Sequence, residues 1–156
     1  MIKIYTSYFY MVRFMEPHHI PLSTAKWDPR WYHNFQGQGE VFLDTRGVLN
    51  GMRASQFAPD DKCSSLCLGK GYCPNIGQGG CEFLKCYAEQ LAANSAQEFQ
   101  EYLESQVPML RSCLHLDRDP EFILLVHEAP GNKCSEREAI QRWFAKGGIE
   151  VVEWRR

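Results

Sequence analysis

The residues that first suggest chemistry in this sequence are five cysteines within a stretch of 24 residues. Their spacing is C-x3-C-x5-C-x7-C-x4-C, and the glycines between them let a backbone wrap closely around a small object. Four thiolates are enough to hold a tetrahedral zinc ion or an iron–sulfur cluster. The five cysteines are Cys63, Cys67, Cys73, Cys81 and Cys86.

Helix geometry selects four of these five cysteines. A helical pattern begins at Cys81, and a residue five positions further along an α-helix is rotated by about 140°. Cys86 is therefore expected to point away from Cys81 and to pack in the core. Disulfide or redox cysteines and unligated thiols are the other interpretations of the cluster. The predicted metal ligands are Cys63, Cys67, Cys73 and Cys81, with zinc preferred over an iron–sulfur cluster.

A second group of reactive side chains follows an apolar run at 122–126. The run predicts a buried strand, and Ser135 with Glu138 three residues later is the pattern of a capping box that opens a helix. Parallel sheets bind ligands where strand ends meet helix starts. The candidate catalytic residues at this junction are His127, Glu128 and Cys134, and the candidate anion-binding residues there are Arg137 and Ser135.

Each of these side chains has a chemical and a structural interpretation. Arg137 and the unpaired N–H groups of the helix start would bind phosphate, carboxylate or a nucleotide. Cys134, next to that positive helix end, is a reactive thiolate or a small buried residue that fixes the loop to the strand. His127 is an acid, a base or a ligand, or else a structural group at a strand end.

The elements that would position these residues alternate between strands and helices. Pro108 is expected to kink or split the second helix. Ser7 and Ser23, near the ends of the first two strands, complete the candidate anion site because parallel strands end at one edge. The order predicts an α/β fold with a mostly parallel sheet, helices on both faces, and a cysteine-rich insertion at about 60–86 of a single domain, 1–156. Strands are predicted at 2–8, 19–25, 122–126 and 149–154, and helices at 81–93, from 95 onward and from 135 onward.

Composition narrows the classes of function. The chain has 156 residues, of which 44% are hydrophobic and 23% are charged, as in an ordinary globular domain. A net charge of −2 argues against a broad surface for nucleic acids. The N-terminus lacks the apolar core of a secretory signal, and no apolar run is long enough for a membrane span. A reducing cytoplasm is the expected compartment, where clustered cysteines more often bind metal or do redox chemistry than form structural bridges.

Both ends of the chain resemble a known family. IYTSYF near the start, PLSTAKWDPRWY after it, and LLVHEAPGNKCSEREAIQRWF near the end are similar to segments of the domain of unknown function 488 family, which is common in bacteria and phages. The resemblance covers roughly 1–32 and 122–154 and implies a small Rossmann-like α/β fold. Many members carry Cys-His-Arg where this chain has Cys134-Ser135-Glu136-Arg137. The family implies no established reaction.

Two classes of function follow from these residues. The first is an enzyme that acts on a small anionic or nucleotide-like substrate at 126–138. The second is a metal-stabilised binding module in which the cysteine-rich loop is a rigid recognition surface. An enzyme should gather its polar groups in one pocket, whereas a binding module should expose Trp27, Trp31 or the cysteine-rich loop. The two tryptophans can also pack as a loop against the sheet edge.

Overall fold

The structure is a computed structural model of the chain, and it describes residues 2–33, 40–67, 81–132 and 134–156. None of the helices in these ranges combines the length and the apolar character that crossing a membrane requires. Short 3-10 helices lie at Phe9–Phe14, Arg30–Tyr32 and Ser55–Phe57. The other elements, in chain order, are β1 (Lys3–Tyr8), β2 (His19–Ser23), β3 (Phe42–Leu43), β4 (Leu49–Asn50), α1 (Asp61–Ser64), α2 (Glu82–Ala92), α3 (Ala96–Cys113), β5 (Glu121–Val126), α4 (Arg137–Lys146) and β6 (Val152–Glu153).

Four parallel strands form the main sheet in the order β2-β5-β1-β6. β5 lies between β2 and β1, with Ser7 paired to Leu125 and Ser23 paired to the same residue from the other side. Strands β3 and β4 form a separate antiparallel hairpin. The predicted α/β fold with a parallel sheet is confirmed. The last strand, predicted at 149–154, is confined to two residues.

The uninterrupted apolar sequence of β5 results from burial on both faces of the sheet. Phe122 and Leu124 contribute to one core, which α2, α3 and α4 cover. Ile123 and Leu125 contribute to a second core, which the 3-10 helices at Phe9–Phe14 and Arg30–Tyr32 cover. Helical segments therefore cover both faces, as α-helices on one and as 3-10 turns on the other. A strand buried on both sides has no polar face, which explains why no alternation is seen.

The predicted capping box at Ser135 and the same Ser-x-x-Glu pattern at Ser95 and Glu98 differ in outcome. Ser95 is the N-cap of α3, and its Oγ accepts the N–H of Glu98. The prediction for Ser135 is wrong, because its Oγ accepts the N–H of Arg137 and α4 begins two residues later than expected. The intervening turn, in which the Ser135 N–H donates to the carbonyl of Asn132, already fixes the chain before the helix.

Helix α3 continues through Pro108 and is not split. Proline lacks the N–H that would bond to the carbonyl four residues earlier, so one carbonyl loses its helical partner. Pro108 lies on the exposed side of α3, where water can hydrate that carbonyl. The buried side of the helix, which includes Leu103 and Leu110, packs in the first core and holds the two halves together.

Candidate functional site

The carboxyl ends of β1, β2 and β5 lie at one edge of the sheet because these strands are parallel. The start of α4 and the segment 127–136 lie at the same edge. The candidate catalytic and anion-binding residues named from the sequence therefore lie near this edge. They do not share one site, because several of them are already bonded to other protein groups.

Arg137 is buried, and its guanidinium binds protein groups on several sides. Its Nε donates to Oε1 of Glu153 at 2.6 Å, and its Nη2 donates to the backbone oxygen of Glu128 at 2.7 Å. Thr6 Oγ1 donates to the same Glu153 oxygen, and Gln141 Nε2 donates to Thr6 at 2.7 Å. An anion from solution would have to displace the Glu153 carboxylate. This geometry gives an anion-binding role of Arg137 no support.

The three serines of the predicted anion site have separate roles. Ser135 Oγ accepts the N–H of Arg137 and lies 3.5 Å from its Nη1. Ser23 Oγ donates to Oδ1 of Asp28. Ser7 Oγ is fully buried and has no hydrogen-bond partner among the described residues. None of the three lines either of the cavities described below.

Asp28 is a buried acceptor that sequence reasoning missed. Besides Ser23, its carboxylate lies 2.5 Å from Nε2 of His33 and 2.9 Å from Nη1 of Arg53. Arg53 also donates to the backbone oxygen of Ala25. These bonds fix the loop after β2 to the segment after β4. In the sequence, Asp28-Pro29 indicates only a turn after the predicted strand at 19–25. Nothing there indicates that the carboxylate is buried.

A cavity of about 210 Å³ lies beyond the carboxyl ends of β2 and β5. It combines residues of five segments: the loop after β2, the segment around α1, the first turn of α2, the end of β5 and the residue before α4. The side chains that bring chemistry to it carry ammonium, hydroxyl, thiol, imidazole and carboxylate groups, beside one indole. These residues are Thr24, Lys26, Trp27, Ser64, Cys67, His127 and Glu136.

His127 has a defined orientation in this cavity. Its Nε2 lies 2.6 Å from the backbone oxygen of Trp27, and its ring packs against Phe9 with centroids 4.9 Å apart. A carbonyl oxygen only accepts, so Nε2 must carry the hydrogen. In the neutral ring, Nδ1 then has the lone pair. His127 is exposed, so a ligand or a neighbouring group can exchange a proton with Nδ1.

Three of the described side chains that line the cavity carry a hydroxyl or a thiol and so can act as nucleophiles. The hydroxyls of Thr24 and Ser64 donate to backbone carbonyls of Leu125 and Asp60 at 2.7 and 2.8 Å. Cys67 is a free, exposed cysteine. Among the described residues, its thiol is therefore the nucleophile of this cavity whose proton is not held by a backbone carbonyl. Cys67 was predicted from the sequence as a metal ligand.

Among the described residues that line the cavity, Lys26 carries a positive charge and Glu136 carries a negative charge. Lys26 Nζ bonds to Asp61 at 2.6 Å, in a pair whose aspartate side chain is 95% exposed. Such exposed pairs are weak, so a ligand anion can replace Asp61. Glu136 lies close to Tyr87, whose pKa is raised well above its ordinary value by burial and further by the Glu136 charge.

No family model, curated protein or solved structure matches this chain. The resemblance to the domain of unknown function 488 family therefore stays a prediction. The site has to be interpreted from its own geometry.

The remaining candidates at the junction lie outside this cavity. Cys134 is a half-buried cysteine whose N–H donates to Oδ1 of Asn132. It precedes the first residue of α4 by three positions rather than adjoining it. Glu128 contributes its backbone oxygen to Arg137. Among the described residues, neither Cys134 nor Glu128 lines the cavity that contains His127.

The cysteine cluster differs from the prediction. Cys63 of α1 forms a disulfide with Cys86 of α2, so Cys86 is not the unpaired core residue that was predicted. The helical rotation relates Cys86 only to Cys81, whereas Cys63 reaches Cys86 from another helix. Cys67 and Cys81 are free, and Cys73 lies outside the described residues. Predicted ligand Cys63 is thus bonded to a cysteine excluded from the ligand set.

Among the described residues, two groups of side chains have a geometry that can hold a metal ion. Asp60, Cys63 and Cys86 place one ligand atom each within 4.8 Å of one another. Glu16, His18 and His19 do the same at the amino ends of the strands. In the second group Nδ1 of His19 already accepts the N–H of Glu16 at 2.8 Å, so that lone pair is used within the protein. The first group is the better candidate once its disulfide is reduced.

Proposed function

We propose that this chain is an enzyme that uses the Cys67 thiol and the His127 imidazole to act on a small anionic substrate in the carboxyl-edge cavity. The supporting observation is that Lys26, Cys67 and His127 line one cavity although they come from three separate segments. The substrate class is the one expected from the sequence. The residues that would bind it differ, because Arg137 is bonded to Glu153.

Each of the three side chains has one step in this proposal. Lys26 exchanges its exposed partner Asp61 for the substrate anion. His127 takes the thiol proton of Cys67 on Nδ1, the nitrogen that does not donate to Trp27. The thiolate then forms a bond to an electrophilic carbon of the substrate, and the leaving group departs with its electron pair. Protonated His127 can return the proton to that leaving group.

Two alkylating reagents test this proposal without knowledge of the substrate. Iodoacetamide is neutral and iodoacetate is an anion, and both transfer a carbon to a thiolate with loss of iodide. Near neutral pH, Cys67 should react faster than Cys81, Cys113 and Cys134, the other described cysteines outside the disulfide. His127→Gln should slow both reagents at Cys67 by about tenfold or more, because general bases typically contribute at least that much. Peptide mapping by mass spectrometry gives the four rates.

The lysine is tested by the ratio of the two rates. Lys26→Gln should lower the iodoacetate rate at Cys67 relative to the iodoacetamide rate, because only the anion uses the ammonium group. Lys85→Gln is the matched control, since Lys85 is exposed, pairs with Glu82 and does not line the cavity. Equal reactivity of all four thiols, or an unchanged ratio in Lys26→Gln, would contradict the proposal.

A second function is favoured by the group of Asp60, Cys63 and Cys86. We propose a cytoplasmic location for the chain, and there the disulfide would be reduced. The two thiolates and the Asp60 carboxylate then supply three ligands for zinc, which binds sulfur and oxygen tetrahedrally. The protein would in this case be a binding module whose α1–α2 contact is held by metal. Asp60 has a second duty, because it caps α1 by accepting the N–H of Cys63.

Zinc content of the reduced protein decides between the two states of this group. Protein prepared with a reductant and zinc should retain one equivalent after dialysis, and Cys86→Ser should lose it. Cys113→Ser is the control, since Cys113 is exposed at the end of α3. If reduced wild-type protein retains no zinc, the pair serves as a disulfide only. In that role it would stabilise the chain by about 3 kcal/mol for a loop of this length.

A further inference from the structure

The larger of the two described cavities, about 280 Å³, lies apart from the thiol and imidazole, between the 3-10 helix Phe9–Phe14 and the hairpin of β3 and β4. Its volume is near the lower limit of about 300 Å³ for ligand-binding clefts. Three aromatic side chains, two guanidinium groups, an amide and a carboxylate line it, and none of these residues appears in the cavity that contains His127. The residues are Tyr10, Arg13, Trp31, Phe42, Asp44, Arg46 and Asn50.

The aromatic walls are accessible and fixed in place. Tyr10 and Trp31 are 49% and 46% exposed, which leaves about half of each side chain for a ligand. The Tyr10 ring stacks on Tyr8 and meets Phe14 edge-on, with centroids 6.1 and 5.9 Å away. Trp31 meets the ring of Phe9 at 86°. Rings held by such contacts lose little conformational freedom when a flat ligand stacks on them.

The two arginines have different roles in this cavity. Arg46 is bonded to the protein: it donates to the backbone oxygens of Val12 and Met15 and to Oδ2 of Asp44. Its charge is therefore neutralised, and it ties the hairpin to the 3-10 helix. Arg13 donates through Nε to the Tyr10 backbone oxygen, and its guanidinium lies 3.8 Å from the Tyr10 ring centroid.

Arg13 leaves the cavity with one uncompensated positive charge. Its two terminal nitrogens have no hydrogen-bond or ion-pair partner among the described residues, and the side chain is exposed. A guanidinium stacked on a tyrosine is held in a fixed plane while its outer N–H groups remain available for two acceptor oxygens. Phosphate and carboxylate groups present two such oxygens. The cavity thus pairs aromatic surfaces with one fixed anion-binding fork.

Asn50 adds an acceptor to the same cavity. Its Nδ2 donates to Oδ2 of Asp44 and to the backbone oxygen of Val48, both at 3.1 Å. Both amide hydrogens are used, so Oδ1 is the hydrogen-bonding atom that has no partner among the described residues. A flat ring that carries an amino or imide N–H would satisfy it. A flat ring, an N–H donor on that ring and an attached anion are together the features of a nucleotide such as adenosine monophosphate, whose donor is the exocyclic amino group.

We infer that this cavity binds a nucleoside monophosphate, with the base stacked on Trp31 beside the edge of the Tyr10 ring and the phosphate on the terminal nitrogens of Arg13. A single base fits a cavity of this volume, whereas a nucleic-acid strand would need a series of stacking sites. The inference is independent of the Cys67 and His127 proposal because the two cavities share no residue. Either can fail without the other.

Quenching of tryptophan fluorescence tests the inference, with adenosine monophosphate, adenosine and inorganic phosphate as the probes. Adenosine monophosphate should quench wild type with saturation, and Trp31→Phe should abolish most of this signal. Arg13→Ala should weaken the binding of the monophosphate by about tenfold or more but that of adenosine by less than about twofold, because only the phosphate uses the charge. Arg13→Lys should give an intermediate affinity.

Arg30→Ala is the matched control, since Arg30 is exposed, adjoins Trp31 and does not line the cavity. It should bind the monophosphate as wild type does. Equal weakening in Arg30→Ala and Arg13→Ala would overturn the inference, since it would indicate non-specific attraction. The inference would also be overturned if inorganic phosphate, or a short single-stranded oligonucleotide, bound more tightly than the monophosphate. Quenching that does not saturate would overturn it as well.

Discussion

Both edges of the parallel sheet bury polar side chains, and the two edges offset the cost of removing these groups from water in different ways. At the carboxyl edge Arg137 and Glu153 are buried as charges and are paired at 2.6 Å, with Thr6 and Gln141 completing the network. At the amino edge His19 is buried, and burial together with the neighbouring His18 lowers its pKa from 6.5 to about 4. One edge pairs its charges, and the other keeps a histidine neutral.

This difference has consequences for mutation and for pH. A paired charge is costly to disturb from either side, because the remaining partner stays buried without compensation. A neutral histidine costs little at neutral pH but opposes folding in acid, where the unfolded chain binds a proton that the native chain excludes. The carboxyl edge should therefore be sensitive to substitution and the amino edge to acid.

The largest effect is expected when Arg137 is replaced by methionine, which keeps much of the side-chain volume. Glu153 would then stay buried without its partner, at a cost of about 3–5 kcal/mol in the free energy of unfolding. Arg142→Met is the control on the same helix, because the exposed Arg142–Glu138 pair at 3.3 Å should contribute less than about 1 kcal/mol. Urea denaturation of both variants measures the difference.

Removal of both charges separates pairing from packing. In the double variant Arg137→Met with Glu153→Leu no unpaired charge remains, and replacement of a buried ion pair by apolar groups is often nearly neutral. The double variant should regain most of the stability that Arg137→Met loses. If it is as unstable as the single variant, Arg137 acts mainly through its bonds to Glu128 and Ser135 rather than through the charge of Glu153.

The sequence predicted the sheet well because strand signals are local. The run at 122–126 is apolar throughout, and β1 and β2 begin within a residue of their predicted starts. It also predicted where polar groups collect, since parallel strands end at one edge. The contents of the cavity there were less predictable, because Cys67 and Lys26 approach from loops whose paths depend on tertiary packing.

The errors have a common physical origin, which is a partner distant in sequence. Arg137 appeared available because Glu153 is 16 positions away, on the far side of α4. The disulfide of Cys86 was missed because helical spacing describes only residues of the same helix, whereas Cys63 is 23 positions away. Periodicity and spacing describe neighbours along one element. They do not show which carboxylate or thiol another element will bring.

At the amino edge, the expected effect is a loss of stability in acid that comes from His19. Because the folded pKa of His19 is about 4 and its ordinary value is 6.5, its contribution to stability is complete above 6.5 and is lost as the pH falls toward 4. The loss should be roughly 1–3 kcal/mol across that window. Urea denaturation at a series of pH values gives the slope.

His19→Asn should remove this part of the acid sensitivity. The asparagine Oδ1 can replace Nδ1 as acceptor for the Glu16 N–H, and it does not titrate in this range. His115→Asn is the control, because His115 is exposed and has a positive φ of 53°, which asparagine tolerates. A slope in His19→Asn equal to that of His115→Asn would mean that other groups carry the acid response.

The smallest effect is expected at Ser7, a buried residue at the carboxyl edge whose polar group is not paired with another described group. Thr6 and Ser7 are adjacent in β1 and both are fully buried, but the Thr6 hydroxyl bonds to Glu153 and Gln141 whereas the Ser7 hydroxyl has no partner among the described residues. Thr6→Val should destabilise the protein by about 1–3 kcal/mol, because it leaves buried polar partners unsatisfied. Ser7→Ala should change the free energy of unfolding by less than about 1 kcal/mol, and in the stabilising direction, since a buried hydroxyl without a hydrogen bond costs free energy. Urea denaturation of the two variants compares them directly.

Destabilisation by Ser7→Ala as large as that by Thr6→Val would mean that a bound water or ligand satisfies the Ser7 hydroxyl. Ser7 would then return to the candidate binding residues.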